Sequence, residues 1–261
     1  IGVDYRINDD ILTYITYSEG FRSGGFNGRN QDPANIGPFD PEYVNNYELG
    51  FKSDLLDQTL RVNLAAFYNE YDDKQEEVIE SDGFGGSNTV VRNAATVQII
   101  GLEGELTWVA NEYVLVNANF GYLDAEYDEY DADLTGDGII TDNSDLELRR
   151  VPEWTAGLNT TFTLPVGPGD LSLYMSYRYT DEYYVEVSND PRGLLDSRGV
   201  FDATLAYDWQ CGENSSARVA LFGRDMTDEV DYNSAVIIPG TLAFGAVAGG
   251  EQYGVRVNFE F

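Results

Sequence analysis

Histidine is absent from the 261-residue sequence, and cysteine occurs once, as Cys211. Without histidine these residues cannot form a Ser-His-Asp triad, and they cannot supply imidazole ligands to zinc. A single cysteine excludes an intramolecular disulfide and a cysteine-rich metal cluster. Basic residues are scarce too, with 15 Lys and Arg against 46 Asp and Glu, so the formal net charge is -31. This acidity argues against nucleic-acid binding, which needs cationic contacts to phosphate.

Long hydrophobic runs are also missing. No segment approaches about 18 consecutive apolar residues, so the sequence predicts no transmembrane helix. The hydrophobic content of 43% is nevertheless too high for a disordered acidic chain. Aromatic residues make up 13%, among them 19 tyrosines, and 27 glycines accompany them. This composition favours an all-β protein with many turns.

Apolar and polar residues alternate along many segments of the chain. In residues 59–71 every second side chain is apolar, namely Leu60, Val62, Leu64, Ala66 and Tyr68. The alternation recurs in residues 100–108, 114–122, 171–179, 201–209 and 253–261. A period of two is typical of a strand whose two faces meet different surroundings. It fits a soluble β-sandwich with a dry interior, and it fits equally a membrane β-barrel whose apolar face meets lipid.

Strand lengths and connections favour the membrane barrel. The alternating segments run for roughly 9–15 residues, whereas strands of soluble proteins usually have about 5–6. A tilted strand needs about 9–11 residues to cross a bilayer. Short connections near 8–10, 54–57, 109–112, 165–169 and 210–216 alternate with long ones near 22–42, 73–88, 128–148, 186–198 and 227–249. Together with aromatic residues at strand ends, this predicts an all-β, antiparallel transmembrane β-barrel segment of about 11 strands.

Several motifs, in order, resemble the C-terminal half of the barrel of TonB-dependent outer-membrane receptors. They are TYSEGFRSGGFN at 16–27, FDPE at 39–42, YELGFKS at 47–53, LAAFY at 64–68 followed by an acidic-polar run with Gln75, NAA at 93–95 and GLEGEL at 101–106. The chain ends on an aromatic residue, as in the family's C-terminal assembly signal, which the resemblance assigns to Tyr253, Val255, Val257, Phe259 and Phe261.

The resemblance implies a larger protein in the outer membrane of a Gram-negative bacterium. Residues 1–261 are then expected to be the C-terminal part of a barrel of about 22 strands, without its plug domain and N-terminal strands. The implied function is TonB-coupled uptake of a ferric siderophore or another large, scarce nutrient, and not an enzymatic one. The implied partners are outer-membrane lipid and lipopolysaccharide, the plug and the N-terminal barrel half, TonB through the plug, and the barrel-assembly machinery, with no nucleic acid.

Two other functions remain open from the residues themselves. A passive porin-like barrel would explain the strands and loops but not the ordered motifs. A soluble calcium-binding β-sandwich adhesion module would explain the alternation and the acidic residues. An outer-membrane protease or lipase would need histidine, and no spacing singles out a pair of catalytic carboxylates.

Candidate ligand contacts are aromatic or basic residues in or beside the predicted long loops. They are Phe21, Arg22, Phe26, Arg29, Tyr232 and Phe244. On the predicted lumenal face, the arginines could serve structural ion pairs or could hold an anionic ligand. These arginines are Arg61, Arg178, Arg218, Arg224 and Arg256.

Residues 124–147 form a predicted acidic extracellular loop with ten carboxylates and no basic residue. Part of it resembles an EF-hand or dockerin-type calcium loop, with Asp133, Thr135 and Asp137 at the first, third and fifth positions and Gly138 at the turn. The twelfth position holds Ser144 instead of an acid, which departs from the pattern. The expected Ca²⁺ ligands are Asp131, Asp133, Thr135, Asp137, Asp142 and Asp145, and the alternative is a solvated acidic loop.

Overall fold

The computed structural model describes residues 1–28, 36–81, 87–134, 139–230, 232–238 and 242–261. The strands within these residues are β1 (Gly2–Asn8), β2 (Ile11–Arg22), β3 (Gly25–Asn27), β4 (Gly37–Phe39), β5 (Glu42–Leu55), β6 (Leu60–Ser81), β7 (Ser87–Asn111), β8 (Val114–Ala132), β9 (Thr141–Asp142), β10 (Trp154–Val166), β11 (Gly169–Thr180), β12 (Tyr183–Tyr184), β13 (Leu194–Leu195), β14 (Arg198–Gln210), β15 (Ser216–Arg224), β16 (Tyr232–Ile238), β17 (Leu242–Val247) and β18 (Gln252–Glu260). A 3₁₀ turn covers Pro191–Gly193. None of the described residues belongs to a helix that is long and apolar enough to cross a membrane.

One large antiparallel sheet dominates the fold. Its strands follow the order β1-β2-β5-β6-β7-β8-β10-β11-β14-β15-β18, and the short β9 pairs with β8. Each strand on this path pairs with the next one along the chain, apart from small hairpins inserted in the long connections. The 11 strands of this path confirm the predicted antiparallel segment of about 11 strands.

One face of the sheet is polar and the other is apolar, and this division continues from strand to strand. It continues because residues paired across neighbouring strands point to the same side. We call the polar side the inner face, represented by Glu48, Asn63, Glu103, Asn119, Asn159, Ser176, Asp202 and Arg218. We call the apolar side the outer face, represented by Ile15, Leu49, Leu64, Leu102, Phe120, Leu158, Leu205, Leu221 and Val257.

Large apolar side chains of the outer face are exposed. Leu49, Leu221 and Val257 keep 59%, 53% and 53% of their surface accessible. A soluble sandwich would bury these side chains against a second sheet, whereas a membrane strand presents them to acyl chains. The outer face is therefore built to meet lipid.

Aromatic rings mark both edges of this apolar band. Towards the long loops, Tyr17 lies 5.0 Å from Tyr47, which lies 6.2 Å from Tyr68, measured between ring centroids. Towards the short turns, Tyr207 and Trp209 stack at 5.4 Å. On β7 the two edges correspond to positions 100 and 108, about 27 Å apart along the strand, which a tilt of about 40° reduces to about 20 Å. This height is close to the apolar band of outer-membrane barrels, about 25 Å.

Tyr14 differs from the other strand-end aromatic residues, because its side chain lies on the inner face. Its ring covers Gly50, where a Cβ would stand 2.0 Å from ring atoms. Its hydroxyl donates to Glu48 at 2.6 Å, and the Lys52 ammonium lies 5.4 Å from its ring centroid. Tyr14 therefore joins the two charged residues of the YELGFKS motif, which are too far apart along the strand to touch directly.

Three strands extend further than the sequence predicts. The expected loop at 73–88 largely continues as strands β6 and β7, and residues 124–132 of the expected acidic loop belong to β8. Irregular pairing near Asp73 (φ 53°) and Val97 bends these strands without ending them. The acidic composition suggested a loop, but backbone pairing and buried side chains on one side keep the chain extended.

Candidate functional site

At one end of the sheet, the long connections fold onto the extended strands and form an ordered assembly. We call it the loop cap. It comprises residues 23–28 and 36–41 with β3 and β4, the extended ends of β6, β7 and β8, residues 139–153, residues 181–197, and the β16–β17 hairpin. Val97 and Tyr127 of the cap continue the inner-face rows of β7 and β8, so the cap packs on the inner side of these strands.

The loop cap has its own apolar core. On β7 the inner face turns from polar to apolar beyond Gly101. Val97 and Tyr130 are fully buried there, and Leu148 and Val187 are 5% and 3% exposed. The two loops that supply Leu148 and Val187 are also joined by backbone and amide hydrogen bonds between Glu147 and Asn189, at 2.7 and 3.0 Å. Apolar burial and hydrogen bonds together keep the cap folded.

A buried carboxylate lies beside this core. Glu76 is 1% exposed, pairs with Lys74, and has the Arg149 Nε at 3.5 Å. It also accepts a hydrogen bond from the Tyr127 hydroxyl at 3.0 Å. Burial and the Glu76 charge raise the pKa of Tyr127 and of the stacked Tyr130 far above the ordinary value. Tyr127 therefore remains a hydrogen-bond donor, and Glu76 ties the segment around Arg149 to β6.

Next to Glu76, the side chain of Gln75 holds a different part of the cap. Gln75 is 3% exposed, and its Nε2 donates to the carbonyl oxygens of Ser23 at 3.1 Å and of Asp40 at 3.0 Å. Asn93 exchanges two further hydrogen bonds with the backbone of Asp40, at 2.7 and 2.8 Å. Asn27 does the same with the backbone of Val91. Together these amides fasten the first long connection to the β6–β7 hairpin.

Gly24 is needed where this first connection folds back on itself. A Cβ at Gly24 would stand 2.4 Å from the carbonyl oxygen of Phe39, a backbone atom that cannot swing aside. We expect Gly24→Ala to weaken docking of the connection by about 1–3 kcal/mol, the usual cost of overpacking. Hydrogen exchange of residues 36–41 should accelerate accordingly. Gly37→Ala is the matched control, because no described atom lies within 4 Å of its added Cβ. Equal exchange in both variants would contradict the prediction.

The predicted ligand-contact residues that the structure describes lie on the cap or on the adjoining end of β2. Phe21, Arg22 and Phe26 belong to β2 and β3, while Tyr232 and Phe244 belong to the β16–β17 hairpin. Phe21, Phe26 and Phe244 are 74%, 63% and 58% exposed. Arg29 lies outside the described residues. Ligand contact by these residues stays a prediction.

A groove of about 420 Å³ between the β3–β4 hairpin and β7 was not anticipated from the sequence. Phe39, Arg92, Asn93, Asp131 and Ile140 are among its lining residues. Phe39 belongs to the motif FDPE and Asn93 to the motif NAA, so the sequence already marked both residues. The two motifs are far apart in the sequence, however, and neither motif indicated that they meet.

Calcium binding also stays a prediction. Asp142 accepts hydrogen bonds from the amide and hydroxyl of Ser144, at 3.0 and 2.7 Å, and these bonds lower the pKa of its carboxyl group. Asp131 pairs with Asp142 through the β8–β9 ladder, whereas Thr135 and Asp137 lie outside the described residues. Within the described ranges, no three acidic, cysteine or histidine side chains come together in a group able to hold a metal.

Calorimetry can test the calcium prediction directly. If the loop binds, titration with Ca²⁺ should release or absorb heat with a Kd of about 10⁻⁴–10⁻³ M, the range of extracellular modules. The double substitution Asp133→Asn and Asp137→Asn should abolish this heat. Asp9→Asn with Asp10→Asn, in a short turn at the opposite end of the sheet, should leave it unchanged. A titration without heat at millimolar Ca²⁺ would refute the prediction.

Three of the five inner-face arginines form ion pairs. Arg61 binds Asp54 through two nitrogens at 2.6 and 3.2 Å, Arg178 lies 2.9 Å from Asp202, and Arg218 lies 3.3 Å from Asp208. These pairs are exposed and join neighbouring strands. For these three arginines, the structural alternative is the one observed.

Comparisons with known proteins agree with this architecture. Residues 1–245 match the family model described as TonB dependent receptor-like, beta-barrel. The chain is 28% identical to a probable TonB-dependent siderophore receptor, PiuA, of Acinetobacter baumannii, and 27% identical to the ferrichrome outer membrane transporter/phage receptor of Escherichia coli. These matches cover 100% and 87% of the chain but only 33% and 27% of the two relatives, so the chain spans about a third of their length or less. The crystal structure of the ferric yersiniabactin uptake receptor of Yersinia pestis shares the fold, with a TM-score of 0.75 at 19% identity, over 100% of this chain and 37% of that one.

Proposed function

Because the chain belongs to the TonB-dependent receptor-like β-barrel family, we propose that it is part of the barrel of a receptor that imports a ferric siderophore or another large, scarce nutrient. The family is one of receptors and transporters rather than enzymes, and the protein is located in the outer membrane of a Gram-negative bacterium. In the proposed protein, the remaining strands close the barrel, a plug domain fills it, and TonB supplies the energy for uptake.

The observation that carries the proposal is the pairing of a lipid-matched outer face with a polar inner face. The outer face is apolar and edged by aromatic rings, while the inner face carries amides, hydroxyls and paired charges. A strand with these two faces separates lipid from an aqueous interior. Acyl chains of membrane lipid and lipopolysaccharide are the proposed neighbours of the outer face. The barrel-assembly machinery is proposed to recognise β18 and the residue that follows it, where Tyr253, Val255, Val257, Phe259 and Phe261 are all exposed.

The loop cap favours a selective receptor over a passive pore. A porin-like barrel needs an open mouth through which small solutes diffuse. Here the cap has an apolar core around Val97 and Tyr130. Gln75 fixes one of its segments by buried hydrogen bonds, and Glu76 fixes another through its ion pair with Arg149. An ordered cap of this kind can present a fixed surface to a ligand, which suits recognition before transport.

Uptake measurements can separate these functions. The full-length protein is expressed in a Gram-negative host that lacks its own siderophore receptors, and accumulation of radioactive iron is measured with hydroxamate, catecholate and carboxylate complexes. At least one complex should enter the cells, and entry should stop when TonB is deleted. Uptake that persists without TonB would favour a passive pore. Failure of every complex, with the protein present in the outer membrane, would exclude iron complexes of these classes.

A further inference from the structure

Two arginine side chains of the inner face lie against the same aromatic ring. The guanidinium carbons of Arg224 on β15 and Arg256 on β18 are 5.6 and 5.8 Å from the ring centroid of Phe222. The ring covers Gly254 on the neighbouring strand, where a Cβ would come within 2.5 Å of it. Phe222 can therefore lie flat against the strand, with an arginine on the row above it and another on the row below.

Neither arginine has an acidic partner among the residues that the structure describes. Within the described part of the chain, no carboxylate oxygen lies within 4.0 Å of Arg224 or Arg256, although Arg61, Arg178 and Arg218 each have one. Each guanidinium keeps five N–H donors that the described protein atoms do not occupy. Of the five inner-face arginines named above, these are the two without an acid at contact distance among the described residues.

The acids of the same groove are placed away from this pair. Asp208 is engaged by Arg218 at 3.3 Å, and Glu260 by the Ser216 hydroxyl at 3.4 Å. Glu260 is four residues from Arg256 on the same strand, about 13 Å along its axis. The groove measures about 450 Å³, within the range of small-ligand sites. Its end near the short turns is acidic and its end near the loop cap is basic.

We propose that Arg224, Phe222 and Arg256 form a binding site for an oxyanion, a carboxylate or phosphate group carried by a small solute that has passed the loop cap. Planar guanidinium groups bind such anions through paired hydrogen bonds, and their contact with an aromatic ring orients them in advance. The site adds to the proposed receptor function that the imported solute carries a negatively charged group. The assignment of the natural ligand to this site rests on the proposed function.

Direct binding to the full-length protein in a nonionic detergent tests the site. Citrate and inorganic phosphate serve as probes in calorimetric titrations at low salt. The double substitution Arg224→Gln and Arg256→Gln keeps hydrogen-bond donors but removes both charges, and it should weaken binding of at least one probe tenfold or more. Arg218→Gln is the matched control in the same groove, because its charge is already neutralised by Asp208, and it should change the affinity less than twofold.

Two results would overturn the proposal. If Arg218→Gln weakened binding as much as the double substitution, the effect would be a general one of the lumenal charge and not of this site. If neither probe bound the unmodified protein, while the double substitution lowered its unfolding temperature, the arginines would instead hold a carboxylate of the polypeptide. Because the readout is binding and not uptake, failure of this site and failure of TonB-dependent import are distinguishable.

Discussion

Substitution of Leu64 by arginine is expected to destabilise the protein in a lipid bilayer by about 2–4 kcal/mol, the cost of a cation on the lipid face of a barrel at mid-height. Leu64 lies on the outer face of β6 and pairs with Gly104 on β7. Position 104 is midway between the aromatic edges at positions 100 and 108, so the guanidinium cannot easily reach either interface. The effect can be measured by urea titration of the protein in lipid vesicles. The folded fraction at each urea concentration is the fraction that stays folded in detergent gel electrophoresis when the sample is not heated.

The matched control is the adjacent residue of the same strand. Asn63 points to the inner face and pairs with Glu105, whose carboxylate lies 3.5 Å from the Asn63 amide. Asn63→Arg should cost less than about 0.5 kcal/mol, because the new charge meets water and an acid. Equal destabilisation by both substitutions would mean that the two faces are not divided between lipid and water.

Substitution of Glu76 by alanine is expected to loosen the loop cap by about 3 kcal/mol. This value lies at the lower end of the range for a broken buried ion pair, because Lys74 and Arg149 remain partly in contact with water. The change removes the only described carboxylate that both cations contact, and it leaves the buried Tyr127 hydroxyl without its acceptor. Hydrogen exchange of residues 146–151 should accelerate by about two orders of magnitude, since about 1.4 kcal/mol corresponds to a factor of ten.

Two further variants make this experiment decisive. Glu77→Ala removes the neighbouring acid, which is exposed, and it should leave exchange in residues 146–151 unchanged. Glu76→Gln keeps an acceptor for Tyr127 but loses the charge, so its effect should be intermediate. If Glu77→Ala accelerated exchange as much as Glu76→Ala, the effect would reflect net charge and not the buried contacts.

The sheet follows from the sequence because each membrane strand has one face in lipid and one in water. Alternation along 59–71 is enough to assign Leu64 and Asn63 to opposite faces, and the short turns were found close to their observed positions. Tyr14 and Tyr17 are three residues apart, so alternation puts them on opposite faces. The register with β5 then pairs Tyr14 with Gly50, on the same face as Glu48.

The loop cap does not follow from local sequence. Its contacts join residues that are far apart, such as Glu76 with Arg149 and Gln75 with Ser23. The many acidic residues of 124–132 predicted a loop. In the structure this segment belongs to β8, and Tyr127 and Tyr130, which lie between the acids, are buried. The ion pairs of the five inner-face arginines could not be predicted from local sequence either. Alternation places all five on one face, but the register between strands decides which of them meets an acid.

Gln75 and Glu76 are consecutive residues, but their side chains bind different segments of the cap. Gln75 donates hydrogen bonds to the segment around Ser23 and Asp40, and Glu76 forms an ion pair with Arg149. Both anchors therefore depend on the position of the same two residues of the β6 backbone. A displacement of the backbone at 75–76 would weaken the contacts of both segments together, whereas substitution of one side chain would weaken the contacts of one segment only.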